Sequence, residues 1–259
     1  MMKKITALLL ALLLLVSLAG CGGKTAPVQN NDGQQTAENQ QTPEQTPEDT
    51  QTPDDTQETQ PAGNTEDPED TQNTEEVSFA RGTVEDGVYA SEFLGLTAAL
   101  DESWIIADDS QLAQLGGLVA DSFDSEEMKN ALESGSTVYD LYALRSADNA
   151  SVNITIQDLG QLGGILLDED AYADANLKSL PDVLASGGIT VSKLEKTTLD
   201  FAGATHSALV LEGTTSGVSL YETIVFVKAG HYMACVTAAA FDENASPADI
   251  LALFQPLAD

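Results

Sequence analysis

The chain has 259 residues, of which 42 are acidic and 10 are basic, giving a formal net charge of −32 at pH 7. This charge excludes a nucleic-acid partner, because binding to phosphates requires clustered Lys and Arg side chains. Two cysteines and two histidines cannot build a disulfide framework or an ordinary zinc site.

Residues 1–20 have the pattern of an export signal. The pair Lys3-Lys4 precedes an apolar run over residues 5–16, which is shorter than the roughly 20 residues of a membrane-spanning helix. The next residues, Leu18-Ala19-Gly20-Cys21, resemble the bacterial lipobox. We therefore predict that Cys21 carries the lipid, including palmitate, that holds the mature protein on the membrane. An ordinary signal peptide with an incidental cysteine is the alternative.

Residues 21–76 form a segment of low complexity. From Gly22 to Glu76 it contains 14 acidic residues, one basic residue and six prolines. Such a composition cannot bury enough apolar surface to offset the entropy of ordering the chain. We predict a disordered acidic tether rich in Thr, Gln, Pro and Glu, about 180 Å long at full extension. Binding of a partner by the repeat itself and glycosylation of the tether are the alternatives.

Residues 77–259 predict one globular domain of 183 residues. Alternating polar and apolar residues indicate strands, and apolar residues spaced three or four apart indicate helices. In chain order the predicted elements are a hairpin, Gly87–Ala90 with Phe93–Leu100; helices over Ser110–Phe123 and Ser125–Leu132; a hairpin, Thr137–Arg145 with Ser151–Gln157; a helix over Asp168–Ser186 with a break near Pro181; strands over Leu194–Phe201, Ser207–Leu211, Leu220–Lys228 and Tyr232–Ala239; and a last helix capped by Ser246 and carrying Ile250, Leu251, Phe254 and Leu257. Short glycine-containing links make consecutive strands antiparallel. The predicted fold class is α+β, with one mostly antiparallel sheet flanked by helices.

The opening hairpin carries a resemblance to a known fold. The run Tyr89-Ala90-Ser91-Glu92-Phe93-Leu94-Gly95-Leu96-Thr97, followed by Leu100 and Trp104, resembles the start of the PsbP-like α/β/α sandwich. It is also similar to uncharacterised lipoproteins of Gram-positive bacteria that join a Thr/Glu/Pro tether to such a domain. The runs Ser134–Asp140 and Lys228–Met233 add to the likeness, which covers most of residues 85–257. The resemblance implies a sandwich that serves as a noncatalytic binding or accessory module, and no catalytic residue is carried over.

The sequence contains none of the nucleophile-elbow, zinc-protease, dinucleotide or phosphate-loop motifs that we tested. His231 and Cys235 come nearest to a nucleophile and base. Four strand positions separate them by about 13 Å, which is too far for proton transfer. We interpret Cys235 as a small core residue, His231 as a residue at a strand end and Trp104 as part of the core. No catalytic residue, cofactor or metal ligand is predicted.

Two acidic clusters are candidates for calcium ligands. They are Asp121, Asp124, Glu126 and Glu127, and, later in the chain, Asp168, Glu169, Asp170 and Asp174. Neither follows the order of a calcium-binding loop. Both lie at predicted helix starts, where carboxylates are favourable without an ion. We interpret them as helix caps and as surface charge, with weak calcium binding as the alternative.

Together these features predict a lipoprotein on the extracytoplasmic face of the cell membrane of a Gram-positive bacterium. Its domain is expected to be a noncatalytic binding or accessory module. The expected partners are the membrane, through the lipid on Cys21, and an unknown protein, wall component or small molecule. Two alternatives are an extracellular hydrolase or modifying enzyme that uses dispersed carboxylates, and a weak calcium-binding surface protein.

Overall fold

A computed structural model of the chain describes residues 79–117, 125–242 and 245–258. The predicted signal peptide, the lipidation site Cys21 and the tether lie outside the described residues. So do Asp121 and Asp124 of the first acidic cluster. Within the described ranges, no helix combines the length and the apolar character needed to cross a membrane.

The described residues form two sheets and a set of mostly short helices. In chain order the elements are β1 (Thr83–Glu85), β2 (Val88–Ser91), β3 (Leu96–Ala99), β4 (Trp104–Ile106), α1 (Asp109–Leu115), α2 (Ser125–Glu133), β5 (Val138–Arg145), β6 (Ser151–Asp158), α3 (Gly160–Leu166), α4 (Glu169–Ser186), β7 (Ile189–Phe201), β8 (Ala204–Thr215), β9 (Val218–Ala229), β10 (Tyr232–Ala240), α5 (Pro247–Leu251) and β11 (Phe254–Pro256). The paired strands run antiparallel. The predicted α+β class, with mostly antiparallel strands flanked by helices, is confirmed.

A seven-stranded sheet has the order β4-β5-β6-β10-β9-β8-β7. After β6 the chain passes through α3 and α4 to the far edge, and the four strands β7 to β10 then return as a meander. The turns Ala202-Gly203 and Ser216-Gly217 each have two residues with positive φ, at 45° and 86° and at 49° and 79°. This is the backbone of a type I′ turn, whose twist suits adjacent antiparallel strands. The predicted antiparallel meander is therefore confirmed.

The sequence predicts only one sheet, but the structure also contains a separate four-stranded sheet with the order β1-β2-β3-β11. Its last strand corrects the prediction for the C-terminal helix. Ser246 caps α5 as predicted, but the helix ends at Leu251 and Phe254 lies in β11, opposite Ala98 of β3. Pairing with the open edge of β3 satisfies backbone groups there. It also buries Phe254 to 1% exposure.

Other predicted boundaries also change. The helix α4 is continuous through Pro181, so the predicted break is wrong. Leu180 and Leu184 on either side of the proline are both buried, and we attribute the intact helix to their packing. Gly213 was predicted to lie in a link but lies within β8, where a Cβ atom would come within 2.8 Å of Thr190 O.

The seven-stranded sheet separates two apolar layers. One face lies against the four-stranded sheet, which we call the small sheet. This face carries Val152, Ile154 and Ile156, which form one cluster with residues of the small sheet, α2 and α5. The opposite face, the α4 face, carries residues of β8, β9 and β10 that contact Leu180 and Leu184. The short helix α1 packs on the same face, through Leu112 against Tyr139 and Tyr142 of β5.

Trp104 begins β4 and is 8% exposed. It belongs to the cluster on the small-sheet face. The guanidinium carbon of Arg145 lies 5.1 Å from the centre of its ring, close enough for a cation–π contact. The predicted core role of Trp104 is confirmed.

Candidate functional site on the seven-stranded sheet

Strand β6 alternates polar and apolar side chains. Its residues Ser151, Asn153 and Thr155 face α4, because Val152 and Ile154 between them belong to the cluster on the opposite face. Such alternation is typical of a strand with one solvated face. Here the three polar side chains are at most 1% exposed. The centre of the sheet therefore has a polar surface that is buried.

Neighbouring strands extend this polar surface across the sheet. Asn153 lies between Tyr142 of β5 and Thr237 of β10 in the strand register. Ser151 lies opposite Ala239 of β10, and Ala239 lies opposite Glu222 of β9. We call the following residues the buried polar patch: Tyr142, Ser151, Asn153, Thr155, Glu222 and Thr237.

Several oxygen atoms of the buried polar patch have no hydrogen-bond partner. They are Tyr142 Oη, Ser151 Oγ, Asn153 Oδ1, Thr155 Oγ1 and both carboxyl oxygens of Glu222. Leaving one buried polar group unpaired costs about 1–3 kcal/mol, so native proteins contain few of them. Five side chains of this kind on one sheet face exceed what a core that serves only folding normally leaves unpaired, which makes the patch a candidate binding site.

Glu222 is the carboxyl group of the patch. It is 1% exposed and lies in a strand whose neighbouring residues are mostly apolar. Burial alone raises the pKa of Glu222 to about 8. The side chain is therefore mostly protonated at neutral pH in the absence of a ligand. With strands spaced about 4.8 Å apart, its Cα lies about 10 Å from that of Ser151, and only the methyl group of Ala239 stands between them.

Apolar side chains and a cavity border the patch. Ile224 and Phe226 of β9 continue the α4 face beyond Glu222 and pack in the α4 cluster. At the other side, a cavity of about 170 Å³ reaches Tyr142 and is lined by Gln111 and Leu115 of α1. This volume corresponds to several water molecules at about 30 Å³ each. The cavity borders Tyr142, whose hydroxyl oxygen is itself buried.

A second buried carboxyl group, Asp140, lies on the other side of the sheet. The register of β5 shifts between Tyr139 and Leu141, so that Asp140 is an extra residue in a β-bulge. Its Oδ2 accepts a hydrogen bond of 2.6 Å from Tyr89, in the small sheet. The bulge changes the predicted strict alternation of β5, because residues after it exchange faces. Asp140 is partnered, whereas Glu222 is not.

The sequence candidates His231 and Cys235 have the positions expected for them. Cys235 is reduced, 3% exposed and part of the α4 cluster. His231 directly precedes β10, and its Nε2 is 3.6 Å from Asp158 Oδ1. In addition, a Cβ atom on Gly164 of α3 would meet His231 Cβ at 2.5 Å, so α3 packs closely against the residue that precedes β10.

The acidic cluster at the start of α4 is engaged with protein groups. Asp168 caps the helix, accepting from Ala171 N at 2.8 Å as predicted. Asp170 and Asp174 both bind Lys196 Nζ, at 3.0 and 2.6 Å. In the part of the chain that the structure describes, no three His, Cys, Asp or Glu side chains are placed to hold one metal ion. Of the first cluster, the structure describes Glu126 and Glu127, in the first turn of α2.

Glu169 makes a contact that the sequence did not indicate. Its carboxylate binds His206 Nδ1 at 2.9 and 3.1 Å and accepts from the backbone N of Ser207 and Lys228. Burial would raise the pKa of Glu169, but these hydrogen bonds lower it below its ordinary value. The contact fixes the start of α4 on β8 and β9.

The candidate functional residues that sequence reasoning missed are those of the buried polar patch. One signal was present for Glu222, since a carboxyl group interrupts the run Leu220-Tyr221-Glu222-Thr223-Ile224-Val225-Phe226. In β6, alternating polar residues would usually indicate a face exposed to solvent. Here tertiary packing buries that face.

No protein-family model and no curated protein matches the chain. Among solved structures it is similar to cyanobacterial PsbP from Synechocystis, with 11% identity, a TM-score of 0.40, and coverage of 69% of this chain and 98% of the other. It is also similar to LpqN of Mycobacterium tuberculosis, described as involved in cell envelope biogenesis, with 10% identity, a TM-score of 0.32, and coverage of 62% and 82%.

Proposed function

We propose that the chain is a lipoprotein anchored through Cys21 on the extracytoplasmic face of the membrane, and that its α+β domain binds a small ligand at the buried polar patch. The lipobox-like sequence and the acidic tether support the anchor and the display of the domain. The pattern of unpaired oxygens supports the binding role.

The single observation that carries this proposal is the set of unpaired buried oxygens on β5, β6 and β9. Polar groups that serve only folding are normally paired within the protein. A site that must bind a ligand keeps its polar groups unpaired and accepts the loss of stability. The patch fits the second case.

The proposed role is binding without turnover. An enzyme that used two carboxyl groups would need them on one side of a cleft. Among the residues that the structure describes, the two deeply buried carboxyl groups are Asp140 and Glu222. They face opposite sides of the seven-stranded sheet, and Asp140 is already hydrogen-bonded to Tyr89. This arrangement supports a binding site in preference to a carboxylate pair.

The proposal can be tested by two-dimensional NMR of the labelled full chain with a set of small sugars, amines, carboxylic acids and peptides. We expect at least one class to shift amide signals concentrated in β6, β9 and β10. Thr155→Val should weaken that binding, whereas Thr198→Val, at an exposed position on β7, should not. Binding that maps elsewhere, or equal effects of the two variants, would contradict the proposal.

A further inference from the structure

We propose that the ligand of the buried polar patch carries a protonated amine, whose ammonium group pairs with the carboxylate of Glu222. This inference rests on the proposed function, since it names the chemical class that the same site takes. It follows from the chemistry of the unpaired atoms, from the charge of the patch and from its apolar border.

The unpaired atoms of the patch are all oxygens. Asn153 Oδ1 and an ionised Glu222 can only accept hydrogen bonds, and the hydroxyls of Ser151 and Thr155 can accept as well as donate. An ammonium group has three N–H donors and no acceptor. It can therefore donate to several of these oxygens at once, whereas a carboxylate or a phosphate could accept from the hydroxyls but would be repelled by an ionised Glu222.

The charge of the patch and of the whole chain also favours a ligand with a positive charge. Glu222 is the one side chain of the patch that can become charged near neutral pH, and its charge is negative. The chain as a whole carries a formal charge of −32, which attracts cations toward the domain and repels anions. A buried carboxylate is costly when alone but is stabilised by a paired cation with hydrogen bonds.

Binding would change the protonation of Glu222. The neutral acid releases its proton to solvent, and the resulting carboxylate pairs with the incoming ammonium, so that one proton leaves for each amine bound.

The titratable and charged groups on the elements around this face are Tyr139 and Tyr142 of β5, Asp158 of β6, Cys235 of β10, Lys228 of β9, His206 and Glu212 of β8, Glu169, Asp170, Tyr172, Asp174, Lys178 and Asp182 of α4, and Asp109 of α1. None of them contributes to the pKa of Glu222, which burial alone raises.

The surroundings of Glu222 also fit a short hydrocarbon chain. Ala239 lies directly beside it, and Ile224 follows at the next position on the same face of β9. Ser151 lies about 10 Å away across Ala239, by strand spacing. Ala239 is itself fully buried, so a chain of a few methylene groups between polar ends would lie over it only after the groups that cover this face move apart.

Three probes with the same four-carbon backbone test the inference: putrescine, 1,4-butanediol and succinate. We would measure their binding to the full chain by isothermal titration calorimetry in about 150 mM salt, where interactions between exposed charges are screened. Putrescine should bind at least about tenfold more tightly than butanediol, as expected for a charged hydrogen bond, and succinate should not bind. Titrations in buffers of different ionisation enthalpy should show proton release at pH 7.

Glu222→Gln should weaken putrescine binding about tenfold or more and remove the proton release. The control Glu102→Gln removes a carboxyl group at an exposed position and should leave both unchanged. Circular dichroism would check that each variant is folded. Ser151→Ala, which removes a neutral oxygen, provides a second variant with a smaller expected loss.

Two results would overturn the inference. The first is putrescine binding no more tightly than butanediol. The second is equal putrescine affinity in wild type and in Glu222→Gln, which would indicate attraction by surface charge alone. Either result leaves the proposed function standing if neutral probes still shift amides of β6, β9 and β10. The proposed function fails separately, if the wider set of compounds does not map to the patch.

Discussion

The Tyr89 hydroxyl donates a hydrogen bond of 2.6 Å to Asp140 Oδ2, and this bond joins the small sheet to the bulge in β5. Asp140 Oδ1 also accepts from Gly82 N at 2.9 Å. Burial raises the pKa of Asp140, against the lowering effect of these bonds. Two groups that would each be costly alone therefore satisfy each other in the core.

Two buried tyrosines provide a matched test of this bond. Tyr89→Phe should destabilise the domain by about 1–3 kcal/mol, because Asp140 Oδ2 loses its partner in a buried site. Tyr142→Phe removes a hydroxyl without a partner and should change stability by less than about 0.5 kcal/mol or increase it. Urea denaturation of both variants measures the difference, and similar losses would contradict our account of the two hydroxyls.

Glu222 should make stability depend on pH. Its pKa is about 8 in the folded protein against an ordinary value of 4.5, so the folded state binds more protons between these values. The free energy of unfolding attributable to Glu222 is therefore highest below pH 4.5, falls as the pH rises toward 8 and is level above it. Glu222→Gln should remove this slope. Denaturation curves at pH 5, 6.5 and 8 test it; since Asp140 is present in both proteins, the difference between them isolates Glu222.

Removing an unpaired hydroxyl should stabilise the domain. Thr155→Val deletes a buried hydroxyl that has no partner, and we expect a gain of about 1 kcal/mol. The matched control is Thr97→Val in β3, whose hydroxyl donates to Tyr89 O at 2.9 Å; it should lose about 1 kcal/mol. Thermal unfolding of the two variants measures the contrast. A loss of stability in Thr155→Val would indicate that its hydroxyl serves folding.

Glu169 and Asp170, adjacent residues at the start of α4, should contribute unequally to the free energy of unfolding. Glu169→Ala removes four hydrogen-bonding contacts of a partly buried carboxylate, and we expect a loss of about 2 kcal/mol. Asp170→Ala breaks an ion pair of a 62% exposed side chain and should cost less than about 1 kcal/mol. Because the pKa of Glu169 is lowered, its contribution should disappear as the pH falls through that lowered value. Denaturation at neutral and acid pH would reveal both effects.

The anchor is tested at Cys21. Cys21→Ala should abolish incorporation of labelled fatty acid, because the thiol is the acceptor in a lipobox. The variant should also separate from the membrane fraction if its signal peptide is cleaved by another route. Cys235→Ala is the control and should incorporate label normally. Lipid labelling that persists in Cys21→Ala would show that the attachment site lies elsewhere.

Much of the fold could be predicted from the sequence. The hairpins follow from period-two alternation and from turns such as Ser216-Gly217, where both residues adopt positive φ. The cap of α5 at Ser246 follows from local chemistry in the same way. These features depend on residues close together in the chain.

Other features depend on contacts that local patterns do not contain. Phe254 continues an apolar helical spacing, yet it pairs with Ala98, more than 150 residues earlier in the sequence. The bulge at Asp140 is stabilised by Tyr89 and Gly82, which belong to another sheet. The buried polar patch was missed for the same reason, because the polar side of β6 is buried by tertiary packing.

The position of β11 joins distant parts of the sequence in one sheet. Until residues 254–256 are available, β3 has an open edge and the four-stranded sheet lacks its last member. Synthesis proceeds from the N-terminus, so every earlier element is complete before this edge can close. A chain shortened by its last six residues should therefore expose an unpaired strand edge, which is a template for association with other chains. In this domain, three residues that follow α5 cover the edge of a strand formed about 150 residues earlier in the sequence.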